Sequence, residues 1–243
     1  DSPRTNIAPA RRSRPGSRFR DYGFAGDKWL LPVDASPRMT RMIEAAVESL
    51  GAPRGARFVF VMREAQVPRV GHRLHALCAR LGHACAVVAL PAPSEGPAAS
   101  AWAARGAIAD PDGPLVVSNS DQVLSWRFDR FVRAAKRFDG AFLTYRPYSV
   151  PRGAADKHSW ADVRGGGAVA DVAEKVAVGD EALVGVHWYR SARVFLEAYE
   201  RMAADGLRAP NGEQYLSLTY KAMLAMGRSV GAVPLGAGEA FWP

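Results

Sequence analysis

Long apolar runs and cysteines are both scarce in this 243-residue sequence. No run approaches the roughly 18 apolar residues that a membrane-spanning helix needs, and the first residues lack the apolar core of a signal peptide. The two cysteines, Cys78 and Cys85, are too few to form a disulfide scaffold in a chain of this size. We therefore expect a cytoplasmic protein with no membrane partner.

Lysine is also scarce, since it supplies only five of the 32 basic residues. With 24 acidic residues, the formal net charge is +8. Arginine makes planar, bidentate contacts with phosphate, so its excess would suit a partner that contains phosphate. A GC-rich coding sequence would produce the same bias without any function. In either case the positive charge would attract polyanions such as nucleotides.

The sequence has an ordinary apolar fraction, 48%, in short runs that alternate with helix-like segments. Compact apolar runs predict buried strands at 58–62, 84–90, 114–118 and 140–145. Periodicity and alanine content predict helices between them, at 67–81, 98–109 and 126–138. Near-continuous apolar strands separated by helices indicate an α/β fold, with a Rossmann-like, mostly parallel sheet and helices on both faces.

The second part of the chain is less regular. Residues 147–167 are rich in proline, glycine and charge, which predicts a loop or hairpin region. Further strands are predicted at 168–175, 182–190 and 229–233, and further helices at 194–204 and 213–226. No repeat or low-complexity linker divides the chain, so we predict one domain, 1–243, with a small substrate-binding elaboration.

Ligands of open α/β sheets bind outside the carboxyl ends of the strands, and a small-residue turn near the amino terminus is expected there. Gly16, Ser17 and Arg18 form this turn, and Lys28 follows ten residues after Arg18. Backbone N–H groups and adjacent basic side chains can surround phosphates in such a turn. A flexible basic tail explains the pattern equally well.

Two further segments end predicted strands. Asn119, Ser120 and Asp121 place a carboxylate where it could hold Mg²⁺, which keeps water and takes phosphate oxygens as its other ligands. A helix N-cap on a solvated loop is the alternative. Glu174 and Lys175 either form a surface ion pair of little energetic weight or place a lysine against a phosphorylated substrate.

Taken in order, these segments resemble the nucleoside-triphosphate transferase family, which activates sugar phosphates and related phosphoryl compounds. The sequence G-S-R-F at 16–19 resembles the family's G-x-G-[ST]-R turn, D-K-W at 27–29 stands in place of P-K-P, and L-L-P-V at 30–33 looks like P-L-I-P-V. Later similarities are E-G-P-A-A-S at 95–100, N-S-D-Q at 119–122, E-K at 174–175, A-L-V-G-V-H-W-Y at 182–189 and N-G-E-Q-Y-L at 211–216.

The sequence departs from the family pattern at three places, one of which is 8–13, where the usual apolar strand before the turn is missing. Arg14 stands where the first glycine of the turn belongs, so its side chain could crowd the triphosphate or add a phosphate contact. The family's closing G-T-P-E-D-like segment has no match, so the second metal carboxylate is unassigned, with Glu239 as a candidate. These departures leave open a nucleotide-binding module with impaired catalysis.

The resemblance implies a nucleotidyltransferase with a nucleotide-binding half at about 1–145 and an acceptor-binding half at about 146–243. It would transfer NMP from a nucleoside triphosphate to a phosphorylated or phosphonylated small molecule and release pyrophosphate.

Mg²⁺ is the implied cofactor, with Asp121 as its ligand. The implied catalytic residues are Arg18, Lys28, Asp121 and Lys175. The implied nucleotide contacts are Gly16, Ser17, Glu95, Gly96, Ala99, Asn119 and Ser120. The implied acceptor contacts are Glu174, Gly185, Glu213 and Tyr215.

A GT-A-like glycosyltransferase that uses a nucleotide sugar is the alternative enzyme. Such enzymes usually need paired metal carboxylates on a short loop, and the triplet at 119–121 has only one. The aromatic and basic helix at 126–138 has an apolar face suited to a protein core, so we expect no nucleic-acid partner. The sequence does not identify the base, the acceptor or the oligomeric state.

Overall fold

The computed structural model describes residues 28–33, 40–147 and 158–242. Its α-helices are Met42–Leu50 (α1), Val67–Leu81 (α2), Pro97–Ala103 (α3), Phe128–Ala135 (α4), Ala192–Ala204 (α5) and Leu216–Ala225 (α6). Its strands are Arg57–Arg63 (β1), Ala84–Leu90 (β2), Leu115–Ser118 (β3), Val123–Ser125 (β4), Gly140–Tyr145 (β5), Ser159–Val163 (β6), Val169–Glu174 (β7), Glu181–Tyr189 (β8), Val230–Pro234 (β9) and Ala240–Trp242 (β10). The predicted phosphate turn, with Arg14, Gly16, Ser17 and Arg18, lies outside these residues.

The central sheet has six strands in the order β7-β6-β8-β5-β9, with β3 also paired to β8. Strand β9 runs parallel to β5, whereas β8 is antiparallel to β3, β5 and β6. Strands β1 and β2 form a separate parallel pair, and β10 pairs antiparallel with β4. The α/β class is therefore confirmed.

The prediction of a mostly parallel sheet is confirmed only in part, because β8 runs against its neighbours. That prediction inferred strand direction from continuous apolar composition. Strand β8 is buried at all nine of its positions. An antiparallel strand covered on both faces has the same apolar pattern as a parallel one, so composition does not reveal its direction.

Helices cover both faces of the central sheet, as predicted. Phe142 of β5 packs on one face against Tyr220 of α6, with ring centres 4.9 Å apart. The next residue, Leu143, belongs to the cluster on the opposite face, with Phe131 and Ala135 of α4. Successive side chains of a strand point to opposite faces, so this alternation places one hydrophobic core on each side of the sheet.

Helix α2 has the bounds that the sequence predicts. Val70, Leu74 and Leu77 are buried at the three- and four-residue spacing of one helix face. They pack in a third cluster with Phe60 of β1. Gly82 ends the helix in the left-handed conformation, with φ 74°, where glycine has no Cβ penalty.

Two other segments differ in detail from their predictions. The helix expected at 98–109 is shorter, because α3 ends at Ala103 and a 3₁₀ turn covers Ala104–Ala107. The hairpin expected within 147–167 is present in its described part as β6, which pairs antiparallel with β7. None of the helices in the described parts of the chain is long and apolar enough to cross a membrane.

Candidate functional site

The candidate site lies beside the middle of β8, in a gap between two strands on the same side of it. Ser118, at the end of β3, pairs with Val186, and Trp160 of β6 pairs with Ala182. Both β3 and β6 are antiparallel to β8, so the carboxyl end of β3 points toward the start of β6. The two paired positions of β8 are four residue steps apart, with three residues between them, a distance of about 13 Å.

The loop after β3, residues 119–122, lies in this gap and contacts Gly185. The Asn119 N–H donates to the Gly185 carbonyl (3.0 Å), and the buried Gln122 amide donates to the same carbonyl (3.3 Å). Gly185 has φ 92°, and a Cβ there would lie 2.3 Å from Asn119 Nδ2. The close approach requires glycine, so Gly185 supports the loop that ends in Asp121; its predicted acceptor contact stays a prediction.

Lys28 and Asp121 form an ion pair between the ammonium Nζ and the carboxylate Oδ2. Their side chains are 32% and 35% exposed, so both groups are accessible to a ligand. The segment 28–33 is held at the start of α1 by a hydrogen bond from the Met42 N–H to the Leu31 carbonyl (2.8 Å). The fold thus joins two predicted catalytic residues from distant parts of the sequence.

The donor set around Asp121 suits one kind of metal site. Across residues 28–33, 40–147 and 158–242, no group of three or more His, Cys, Asp or Glu side chains could hold a metal ion. A single, partly exposed carboxylate fits Mg²⁺ that is bound mainly by water and substrate phosphate oxygens. The residues present therefore fit a metal that arrives with a phosphorylated ligand.

Glu239, the candidate for a second metal ligand, is already engaged. Its Oε1 accepts hydrogen bonds from Arg130 Nε (3.1 Å) and the Arg127 N–H (2.9 Å), and its Oε2 accepts one from the Gly236 N–H (2.7 Å). Burial raises the pKa of Glu239, but these donors outweigh it and bring the pKa below its ordinary value. Both oxygens are used in fastening β10 to α4, so the geometry does not support Glu239 as a metal ligand.

Glu174 and Lys175 do not form a surface ion pair with each other. Glu174 is buried, and its Oε2 accepts hydrogen bonds from the hydroxyl groups of Ser159 and Ser217, the latter at 2.7 Å. Lys175 is the one non-glycine residue with positive φ in the described parts of the chain, at 62°. Its ammonium lies 5.4 Å from the centre of the Tyr215 ring. Because backbone strain of this kind clusters at functional sites, it favours a functional role for Lys175.

The loop at 95–100, with the predicted nucleotide contacts Glu95 and Gly96, packs directly on the predicted acceptor segment. The Gln214 N–H donates to the Glu95 carbonyl (2.8 Å), and the Ala98 N–H donates to the Gln214 carbonyl (2.9 Å). Gly96 has φ 141°, and a Cβ there would lie 2.5 Å from the Gln214 carbonyl oxygen. The Glu95 carboxylate forms an ion pair with Arg208 (2.6 Å). Glycine at 96 is therefore explained by this backbone contact.

The remaining predicted residues lie close to these loops. Ala99 is half-buried on α3, and Ser120 is half-buried beside Asp121. The Asn211 side chain donates to the Tyr215 hydroxyl (3.2 Å). Burial, and secondarily a hydrogen bond with Glu213, raises the pKa of Tyr215 to about 12. Tyr215 therefore stays a neutral phenol near Lys175.

Sequence reasoning missed several residues that shape the site. Gln122 belongs to the N-S-D-Q match but was given no role, although its side chain is buried against Gly185. Ser159 and Ser217, which bind Glu174, have no sequence signal, because they come from β6 and α6. Only the tertiary fold brings these distant residues to one carboxylate.

Several solved structures share this fold. A nucleoside-diphosphate-sugar pyrophosphorylase from Vibrio cholerae RC9 superposes with a TM-score of 0.71 at 20% identity, over 90% of this chain and 88% of that one. The inositol-1-phosphate CTP transferase from T. maritima superposes with a TM-score of 0.61 at 14% identity, over 86% and 78%. HddC from Yersinia pseudotuberculosis, complexed with GMP-PN, superposes with a TM-score of 0.57 at 11% identity, over 89% and 84%.

Comparison at the level of sequence gives no further relative. No protein-family model matches the chain, and no curated protein matches it. The structural comparisons alone show that the chain has the fold of sugar-phosphate nucleotidyltransferases. The resemblance drawn from its motifs agrees with that fold.

Proposed function

We propose that the protein is a nucleotidyltransferase that transfers NMP from a nucleoside triphosphate to a phosphorylated or phosphonylated small molecule. The observation on which the proposal depends most is the accessible Lys28–Asp121 pair at the carboxyl end of β3. In this pair, a lysine that would bind phosphate lies beside a carboxylate suited to Mg²⁺. Solved structures with this fold include a pyrophosphorylase and a CTP transferase, which supports the same reaction class.

In the proposed reaction, an oxygen of the acceptor's phosphate or phosphonate attacks the α-phosphorus of the triphosphate. The bond from that phosphorus to the bridging oxygen of the β-phosphate breaks, and pyrophosphate leaves with the electron pair. Such transfers depend on positioning and charge neutralisation more than on covalent work by the protein. Lys28, together with Arg18, would neutralise the triphosphate and the developing pyrophosphate.

Asp121 would hold the magnesium ion. When bound there, Mg²⁺ supplies charge neutralisation to the phosphate oxygens and helps to orient them. The Asp121 carboxylate is the partner of Lys28 in this structure, so ligand binding would exchange an internal ion pair for contacts with phosphate and metal. Asn119 and Ser120, on the same loop, would contact the nucleotide.

The other proposed nucleotide contacts lie on two glycine-containing loops. Gly16 and Ser17 would contact the nucleotide through backbone groups, and so would the loop that contains Glu95, Gly96 and Ala99. The packing of this second loop on Gln214 gives it a fixed conformation, which favours selection of one base. The sequence of the loop does not name that base.

The acceptor would bind at the end of β7. Lys175, in its left-handed conformation beside Tyr215, would hold the acceptor's phosphoryl group. Glu174, Glu213 and Tyr215 would complete this side of the site. A glycosyltransferase would need a second metal carboxylate beside Asp121, but the neighbour observed there is Lys28.

The direct test is release of pyrophosphate. The protein is mixed with Mg²⁺, each ribonucleoside triphosphate or dTTP in turn, and glucose 1-phosphate or myo-inositol 1-phosphate. We expect release with one preferred triphosphate, and a loss of at least about 100-fold in Asp121→Asn. Asp112→Asn is the matched control, because Asp112 is an exposed carboxylate that precedes β3 and pairs with Arg193. Equal rates in the two variants, or no release with any combination, would contradict the proposal.

A further inference from the structure

A cavity of about 650 Å³ opens at the carboxyl ends of β5 and β9, and is called here the β5–β9 cavity. The β5–β9 cavity is lined by Tyr145, Arg146, Glu181, Leu235, Ala240 and Phe241, among others. Glu181 begins β8, which is antiparallel to β5, so all these residues gather at one edge of the sheet. That edge is where open α/β sheets bind ligands.

One polar group in the cavity wall has an unused hydrogen-bonding position. The Glu181 side chain is 8% exposed, and its Oε1 accepts a hydrogen bond from Arg146 Nε (2.8 Å). Its Oε2 is buried and has no hydrogen-bond partner in the described structure. A buried acceptor without a donor is unfavourable. A ligand donor that reaches this carboxylate from the cavity would offset that cost.

The charged groups that line the cavity are paired. Arg146 pairs with Glu181 (2.8 Å) and also with the solvent-exposed Asp180 (3.6 Å), and Arg130 pairs with Glu239. The remaining walls are largely apolar, and the rings of Tyr145 and Phe241 lie 4.7 Å apart. A further charged group would lose hydration in this cavity without gaining an unpaired counter-ion. The lining therefore favours an uncharged ligand group that has both C–H faces and hydroxyl donors.

Two chains of contacts connect the cavity wall to the segments that carry the residues proposed to handle phosphate. The Lys175 N–H donates to the His158 carbonyl (2.9 Å), and the His158 Nδ1 lies 3.5 Å from the Tyr145 hydroxyl. On another side, Phe241 pairs with Leu124 of β4, three residues after Asp121. One residue thus links the cavity to Lys175, and one strand pairing links it to the Asp121 loop.

We infer that the β5–β9 cavity binds the uncharged, hydroxyl-bearing part of the phosphorylated acceptor, with Glu181 accepting a hydrogen bond from one hydroxyl group. This inference rests on the proposed function and adds Glu181 as a residue that determines acceptor specificity. The acceptor's phosphoryl group would lie toward Lys175, and its polyol part would lie against Tyr145 and Phe241.

The test measures ligand binding by isothermal titration calorimetry, separately from catalysis. The probes are glucose 1-phosphate, myo-inositol 1-phosphate, cyclohexyl phosphate (which has no hydroxyl group on its ring) and phosphoethanolamine (which is cationic at the other end). We expect at least one polyol phosphate to bind about tenfold more tightly than cyclohexyl phosphate. We expect Glu181→Gln to weaken that binding about tenfold, because the amide group presents a donor where a carboxylate oxygen was available.

Two further variants serve as a matched control and as an independent test of the cavity. Glu200→Gln makes the same chemical change at an exposed position of α5 and is expected to bind like the wild type. Ala240→Leu adds bulk to the cavity wall without altering Glu181, and is expected to weaken polyol-phosphate binding even if Glu181→Gln fails to fold. Thermal unfolding of each variant verifies that it is folded.

The outcomes separate this inference from the proposed function. Unchanged binding in both Glu181→Gln and Ala240→Leu overturns the inference, as does equal or tighter binding of cyclohexyl phosphate or phosphoethanolamine. Absence of binding of both polyol phosphates to the wild type at millimolar concentrations also overturns it. If polyol phosphates bind through Glu181 but no triphosphate yields pyrophosphate, the cavity assignment stands as a polyol-phosphate site and the proposed reaction fails.

Discussion

The Cα of Gly185 lies so close to the side chain of Asn119 that a Cβ atom would be 2.3 Å from Asn119 Nδ2. Gly185 belongs to β8 and Asn119 to the loop that presents Asp121. The backbone of the central sheet is therefore in direct contact with the loop of the candidate site, with no side chain of β8 between them.

Substitution of Gly185 by alanine is expected to lower both stability and activity. The added methyl group would displace the Asn119 side chain and strain a backbone with φ 92°. We expect a loss of about 1–3 kcal/mol in the free energy of unfolding and a loss of at least about tenfold in pyrophosphate release. Urea unfolding and the pyrophosphate assay measure the two effects.

Gly206→Ala is the control for that substitution. Gly206 also has positive φ, at 66°, but nothing lies within 4 Å of its Cβ position. We expect a cost of about 1–2 kcal/mol from backbone strain alone, with activity unchanged. If Gly185→Ala retains full activity, the loop does not depend on this contact.

Lys175→Gly is expected to change stability and activity in opposite directions. Lys175 has φ 62°, a conformation that costs a non-glycine residue about 1 kcal/mol, so glycine relieves strain. The same change removes the ammonium proposed to bind the acceptor's phosphoryl group. We expect a small gain in the urea midpoint and a rise of about tenfold or more in the KM for the acceptor. A stable variant with an unchanged acceptor KM would remove Lys175 from the site.

Acid is expected to destabilise the protein through His187. This side chain is buried against Tyr220, with ring centres 5.7 Å apart, and burial lowers its pKa from 6.5 to about 3. Between these pH values the unfolded chain binds a proton at His187 that the folded chain does not bind. The free energy of unfolding therefore falls as pH falls below about 6.5, by up to about 1.4 kcal/mol per pH unit from this group.

Urea unfolding of the wild type and His187→Phe, at about pH 7.5 and about pH 5, measures this contribution. Phenylalanine keeps a ring against Tyr220 but does not titrate. The variant is expected to lose less stability on acidification than the wild type does. Equal losses in the two proteins would mean that another group is responsible for the acid sensitivity.

Local sequence patterns predicted most of the secondary structure. Helix α2 was correct because Val70, Leu74 and Leu77 lie on one face and Gly82 ends it. The sequence predicts strand β8 but not its direction. A strand buried on both faces has the same apolar pattern whether it runs parallel or antiparallel to its neighbours. The direction of β8 matters to the site, since it sets β3 and β6 end to end.

The site residues that belong to a continuous sequence motif could be predicted. Those that meet only through tertiary contacts could not. Asp121 was identified because it follows an apolar strand, and its proximity to Lys28 agrees with the order of the motifs. No motif indicates Glu181, because the sequence does not show that its Oε2 is buried without a hydrogen-bond partner. That becomes apparent only when β5, β8 and β9 lie side by side. The motif predicts a nucleotide contact at Gly96, and the structure adds a contact with Gln214 that no local pattern indicates.

Strand β8 also sets the distance between the proposed nucleotide side of the site, after β3, and the proposed acceptor side, beside β6. Leu183, Val184 and Gly185 separate the residues that pair with β3 from those that pair with β6. Point substitutions there alter shape, but inserting or deleting one residue would change the separation by about 3.3 Å and turn the following side chains to the opposite face. Among related sequences, positions 183 and 184 are therefore expected to vary in residue type, whereas Gly185 and the length of the stretch are expected to stay constant.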